Sequence, residues 1–125
     1  MIQDEQNDQT DWPSEIRLNN TKDQLLIEFE QGEKVTLSAE YMRVFSPSAE
    51  VQGHAPGERK VIPGKRTVTI TKLEPVGNYA IRPVFSDGHD SGLFTWTYLR
   101  ELGKHHDKLW PQYLEEMEKL GLSRG

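Results

Sequence analysis

Four histidines, 20 Asp+Glu and no cysteine set the chemistry open to this 125-residue chain. His105-His106-Asp107 contains a His-x-Asp pair, the opening of a facial triad for non-haem iron. That triad needs a second histidine further along. None follows Asp107, and the 18 residues left cannot supply a barrel framework. The segment therefore reads as a polar approach to the last helix, with Asp107 favourable to the helix dipole. His89 lies in the turn Asp87-Gly88-His89-Asp90, and His54 lies in Gly53-His54-Ala55-Pro56. Either imidazole suits a ligand or polar-contact role, and a turn histidine also bonds its own backbone. Ser86 and Ser91 flank the first of these turns, but no Gly-x-Ser-x-Gly elbow exists for a serine nucleophile. Glu115, Glu116 and Glu118 read as the solvated face of a helix rather than an acid–base pair. Gly57 to Gly64-Lys65 imitates a phosphate-binding loop, yet its spacing is six residues and no Ser or Thr follows the lysine. The absence of cysteine excludes disulfides, thiolate zinc sites, cysteine-ligated iron–sulfur clusters and a cysteine nucleophile. No catalytic set, cofactor site or complete metal site is expected. The basic loop residues Arg59, Lys60, Lys65 and Arg66, with His54 and His89, are the candidate interaction surface.

The elements that must position these residues follow from periodicity and turn chemistry. Ile16-Arg17-Leu18 and Leu25-Leu26-Ile27-Glu28-Phe29 alternate as strands around the turn Asn19–Asp23. Gln31-Gly32-Glu33 turns the chain into Val35-Thr36-Leu37. Ser38 caps a helix of one or two turns through Tyr41-Met42-Val44-Phe45, stopped by Pro47. Residues 46–66 are punctuated by Gly and Pro and read as a long loop, the basic part of the chain. Val68–Leu73 is a strand. Tyr79–Phe85 is another, and Pro83 places it at an edge or at a bulge. Asp87-Gly88 marks a hairpin into a returning strand, Ser91–Trp96, which puts Phe94, Trp96 and Tyr98 on one face. Thr97 then caps a short helix, Tyr98–Leu102, closed by Gly103. Leu109, Tyr113, Met117 and Leu120 form the apolar stripe of an amphipathic helix, Asp107–Leu120, stopped by Gly121. The expected fold is α+β: a small β-rich domain, a mostly antiparallel sheet of five to six strands, short helices and a C-terminal amphipathic helix.

Hydrophobic residues are 34% and charged residues 28%, so the core must be thin and weighted toward its aromatics. One domain is expected over residues 13–122, preceded by a disordered acidic tail over residues 1–12. That tail carries Asp4, Glu5, Asp8 and Asp11 and no base, so it supplies most of the net charge of −5. The remainder is nearly neutral, which argues against nucleic acid or an anionic membrane as partner. No apolar run is long enough to span a bilayer, and no secretory leader precedes Trp12. A cysteine-free chain of this kind suits a cytoplasmic location.

Three stretches together resemble one family: Leu37–Val51, Leu73–Ile81 and Phe85–Arg100. The Pro75-Val76-Gly77-Asn78-Tyr79-Ala80 and Asp87-Gly88-His89-Asp90-Ser91-Gly92 segments carry the likeness to the gamma-butyrobetaine-hydroxylase-like N-terminal domains. The resemblance implies a small β-rich domain. Such domains precede oxygenase domains, are appended to iron–sulfur carrier ATPases, or stand free in bacteria. It also implies zinc in many members, held by a Cys-x-Cys-x-x-Cys cluster and the histidine of the Asp-Gly-His turn. Here Ser46, Ser48 and Val51 stand at the cysteine positions and only His89 matches, so zinc is not carried over. No cofactor is expected. The expected role is a non-catalytic adaptor with a protein partner, linked to a metabolic enzyme or to iron–sulfur assembly. The alternative is a metal or small-ligand binder using a remodelled site at the His89 turn.

Overall fold

The computed structural model describes residues 12–52 and 59–125. The acidic tail, apart from Trp12, and His54 lie outside the described residues. Strands β1 (Pro13–Leu18), β2 (Gln24–Phe29) and β3 (Lys34–Ser38) form an antiparallel sheet in that order. Leu25 pairs with Leu37 and Ile27 with Val35. Period-2 alternation turns Leu25, Ile27, Phe29 and Leu37 into the core. The β1–β2 turn is closed by Asn19, whose Oδ1 accepts from the backbone N–H groups of Asp23 and Gln24 at 3.1 Å each. Lys22 adopts φ +62° there, and its carbonyl accepts from Ile70 N–H at 2.9 Å. That bond fastens the first sheet to the second.

The second sheet is β4 (Ile70–Val76), β5 (Ala80–Phe85) and β6 (Phe94–Thr95), again antiparallel and in order. The expected α+β architecture with six strands is found, divided into two sheets of three. Two strand boundaries and the place of one strand in its sheet differ from the sequence reading. Val68 is buried but precedes the ladder, because its N–H closes a turn onto Lys65 O. The returning strand is only two residues long, since residues 86–93 wrap against α1 and α2 instead of pairing with β5. Pro83 sits in the middle strand, but β6 pairs only with Ala80 and Ile81, so no ladder partner asks for the missing donor.

Among the described residues four helices cover the sheets. Helix α1 (Ala39–Val44) is capped by Ser38 Oγ, which accepts from Tyr41 N–H at 3.0 Å. Helix α2 (Ala49–Gln52) is a single turn inside the stretch read as loop. Helix α3 spans Trp96–Lys104 and is capped by Thr95, which accepts from Tyr98 N–H, not by Thr97. Trp96 and Tyr98 are therefore helical and do not share a strand face with Phe94. Gly103 does not end α3. It lies inside the helix because an ideal Cβ there would stand 2.5 Å from Val35 Cγ1 on β3. Helix α4 (His106–Lys119) buries Tyr113 and Met117 and continues through Pro111. Gly121 ends it at φ +68°. Leu122 N–H bonds Met117 O and Gly121 N–H bonds Glu118 O, the two bonds of a Schellman motif. Leu120, expected on the apolar stripe, is 60% exposed because the chain turns away there. Among the described residues no helix is long and apolar enough to cross a membrane.

The last residues are fastened down. Ser123 O and Arg124 O accept from Gly64 N–H and Arg66 N–H, and the Arg124 guanidinium grips both oxygens of the buried Glu40 at 2.9 and 2.7 Å. Arg124→Ala strands that carboxylate. The expected loss is about 1–3 kcal/mol, below the value for a fully buried pair because Arg124 is partly exposed, read as a lower urea midpoint. Gly103→Ala tests the α3–β3 contact. In an open helix interior this change gains about 1 kcal/mol, whereas overlap with Val35 should reverse the sign and cost about 1–3 kcal/mol. A raised urea midpoint would contradict the close packing.

Candidate functional site

Of the sequence-selected residues, His89 and Lys65 come together with Ser46, Ser48 and Val51 where α1, α2 and the 86–92 turn meet. The turn is short because Gly88, at φ +92°, lets Phe85 N–H bond His89 O at 3.0 Å. His89 points inward and is buried. Its Nδ1 lies 2.8 Å from Glu50 Oε1 and its Nε2 lies 2.9 Å from Ser46 Oγ. A carboxylate only accepts, so Nδ1 carries the proton and donates to Glu50, and Nε2 accepts from the Ser46 hydroxyl. Ser48 Oγ shares a 2.7 Å hydrogen bond with Ser91 Oγ and also accepts from Glu50 N–H. Gly92 makes the approach possible: a Cβ at that position would come within 2.2 Å of Ser46 Oγ. Val51 is buried, and its carbonyl accepts from Lys60 N–H at 2.7 Å. Ser46, Ser48, Glu50 and Val51 thus form one side of a clasp, and His89 and Ser91 form the other.

Asp87 sets the electrostatics of this corner. Its Oδ2 accepts from Arg43 Nε at 2.9 Å and from Lys65 Nζ at 2.6 Å, and its Oδ1 accepts from His89 N–H at 3.2 Å. Burial pushes the Asp87 carboxyl up, but the Lys65, His89 and Arg43 contacts outweigh it and hold it at about 2. Burial moves His89 the other way. Desolvation and the nearby Arg43 charge lower it from 6.5, against the opposing pull of Glu50 and Asp87.

The resemblance implies zinc in many relatives, and the donor set here does not fit it. Two hydroxyls, an isopropyl group and one imidazole with both nitrogens engaged do not make a Zn²⁺ site. Among the described residues no group of three or more His, Cys, Asp or Glu could hold a metal. The two histidines of His105-His106-Asp107 are also engaged separately. His105 Nε2 bonds Glu101 at 3.0 Å, whereas His106 packs edge-on against Tyr41 and stacks with Trp110.

The basic loop divides. Arg59 turns inward: one terminal nitrogen donates to Val44 O at 3.2 Å, and the guanidinium lies 4.0 Å over the Phe45 ring. Lys65 is held by Asp87. Lys60 and Arg66 alone of the four face solvent. Beside Arg59 lies a groove of about 270 Å³ that sequence reasoning missed. Phe45, Leu102 and Tyr113 form its floor, and Glu101, His105, Gln112 and Glu116 stand on its rim. Tyr98 and Tyr113 donate their hydroxyls to Phe45 O and Ile62 O, so both rings are fixed. Burial, with Glu40 behind it, pushes the Tyr113 phenol up to about 12.

Residues 16–100 match the family model for gamma-butyrobetaine hydroxylase-like N-terminal domains. The chain belongs to that family. Among solved structures, a protein determined by NMR in solution is 45% identical over 90% of this chain and 89% of its own, with a TM-score of 0.77. A second solution structure is 41% identical over 90% and 84%, with a TM-score of 0.78. A crystal structure from Acidithiobacillus ferrooxidans, of a DUF971-family protein of unknown function, is 34% identical over 76% and 96%, with a TM-score of 0.64. No functionally curated protein matches. The matched segment runs from β1 into α3, and helix α4, which supplies one wall of the groove, lies beyond it.

The His89 shift predicts a pH dependence. A histidine lowered in the fold contributes stability that is complete above pH 6.5 and is lost as pH falls through the folded value. The slope for one proton reaches at most about 1.4 kcal/mol per pH unit. Urea unfolding from pH 7.5 to 5 should show this loss, and a His89→Gln variant should flatten it. The Asp87 contribution lies lower, complete above about 4 and lost toward 2. Equal slopes in both proteins between pH 6.5 and 5 would dissociate His89 from the stability of the corner.

Proposed function

We propose that this domain is a non-catalytic protein-interaction module that receives a partner in the groove between α3 and α4. The observation that carries the reading is the groove floor: aromatic and aliphatic side chains already held in place at a surface concavity. Rigid aromatic anchors in pockets carry most of the energy of protein interfaces. The size favours the same reading. Small-molecule sites are commonly ~300–1,000 Å³, and a groove of about 270 Å³ accommodates one large side chain from a partner. The clasp, by contrast, has its imidazole, hydroxyls and carboxylates bonded to one another, which suits a structural corner better than a reacting or ligating centre.

Gln112 is exposed on the rim, so Gln112→Trp fills the groove without disturbing the core. Wild-type and variant chains would be used side by side in quantitative pull-downs from lysate of the source organism. The partner should be recovered near stoichiometry by wild type and at least about ten-fold less by the variant, equivalent to about 1.4 kcal/mol. Equal recovery by both would remove the groove from the reading. A blank from both across several salt concentrations would remove the module.

A further inference from the structure

We infer that the groove takes a partner segment carrying a large apolar side chain with a lysine or arginine close beside it in sequence. The inference rests on the docking reading above and adds the chemistry of the occupant. Besides the phenols of Tyr98 and Tyr113, whose hydroxyls are bonded to backbone carbonyls, four charged or titratable side chains line the groove: Arg59, Glu101, His105 and Glu116. Their availability differs. Arg59 is bound to the Val44 carbonyl and the Phe45 ring, and its Nε is buried with no hydrogen-bond partner among the described residues. Burial lowers it, which the Glu116 carboxylate partly offsets. It is part of the wall, and its partly exposed Nη1 already faces the Glu116 carboxylate, with which an incoming anion would compete.

The two carboxylates are open. Glu101 on α3 and Glu116 on α4 are each about half exposed, from opposite sides of the floor. The partner of Glu101 is His105, one turn along its own helix, at 3.0 Å, and not a lysine or arginine. Glu116 lies 3.9 Å from Arg59, at the limit of an ion pair. A carboxylate brought to the rim would meet two like charges. An ammonium or guanidinium would meet two acceptors that keep most of their hydration, so little desolvation opposes the contact. Lys60 and Arg66, the exposed bases of the loop, do not line the groove. The apolar side chain supplies burial against Phe45, Leu102 and Tyr113, and the cation supplies register and selectivity against acidic segments.

The test uses the full chain, ¹⁵N-labelled, titrated by NMR with three nine-residue Gly/Ser peptides. One carries Leu followed by Lys, one Leu followed by Glu, and one Lys alone. The Leu–Lys peptide should move the amide resonances of Leu102, Gln112, Tyr113 and Glu116. Its affinity should fall about two- to five-fold in each of Glu101→Gln and Glu116→Gln, which are surface changes. The other two peptides should bind at least about five-fold more weakly. Equal or tighter binding of the Leu–Glu peptide would overturn the assigned charge while leaving groove docking standing. So would shifts confined to Lys60 and Arg66, or none from any peptide, if Gln112→Trp still abolishes partner capture. If Gln112→Trp leaves capture unchanged, the docking reading falls and this inference falls with it.

Discussion

Asp87 is the charge on which this corner of the molecule depends. Arg43 on α1 and Lys65 in the following loop are brought to the same carboxylate oxygen, and both are mostly buried. Two cations that close repel one another, and each loses hydration on burial, so the arrangement needs the anion between them. The other Asp87 oxygen takes the His89 N–H, which fixes the direction in which the imidazole enters the core. One side chain thereby decides where α1, the basic loop and the 86–92 turn stand relative to each other. Arg43 Nη1 is buried and has no hydrogen-bond partner among the described residues.

With that turn in place, the clasp follows from close approach more than from strong bonds. A structural zinc site contributes about 10–16 kcal/mol, whereas a neutral hydrogen bond contributes about 1 kcal/mol net. Ser46, Ser48, Glu50, His89 and Ser91 therefore cannot equal a metal bond for bond. What they share is geometry: Gly92 admits the Ser46 hydroxyl, and Val51 beside them is buried. Burial of Val51 contributes about 1.5–3 kcal/mol for a side chain of this kind. The corner is held by packing, by a satisfied polar network and by the Asp87 charge cluster together.

What the sequence disclosed and what it hid divide along local and non-local physics. The β1–β2 and β2–β3 hairpins, the Ser38 cap and the Gly121 stop are local and were legible from spacing and turn chemistry. The single turn of α2 was not, because four residues show no period, and its Ser48 cap looks like any loop serine. Thr95 and Thr97 are equivalent as caps in sequence. Only the end of the β5–β6 pairing at Thr95 selects between them. Gly103 looked like a helix stop because its role belongs to Val35, 68 positions earlier. At the site, the Asp87-Gly88 turn that carries His89 was legible from its turn chemistry. The inward turn of Arg59 was not, since a basic residue among Gly and Pro reads as solvated until Phe45 appears beneath it. Arg124 gave no signal at all, because its partner, Glu40, lies at the other end of the domain sequence.

The groove and the clasp are two consequences of one short helix. Helix α1 has only six residues, so most of its carbonyls lack an intrahelical partner and must be satisfied from outside. Val44 O takes Arg59, and Phe45 O takes the Tyr98 hydroxyl. These two acceptors fix the guanidinium over the Phe45 ring and fix the Tyr98 ring at its edge, which is how the groove acquires its wall. Immediately after them the chain enters Ser46, and the clasp begins. A distortion of the clasp would move the end of α1, and with it the floor of the groove. The two sites are joined through a contiguous run of residues, Arg43–Ser48, that bonds Asp87 at one end and Ser91 at the other. The stiffness of that run is what allows a small domain with a thin core to present a preformed surface.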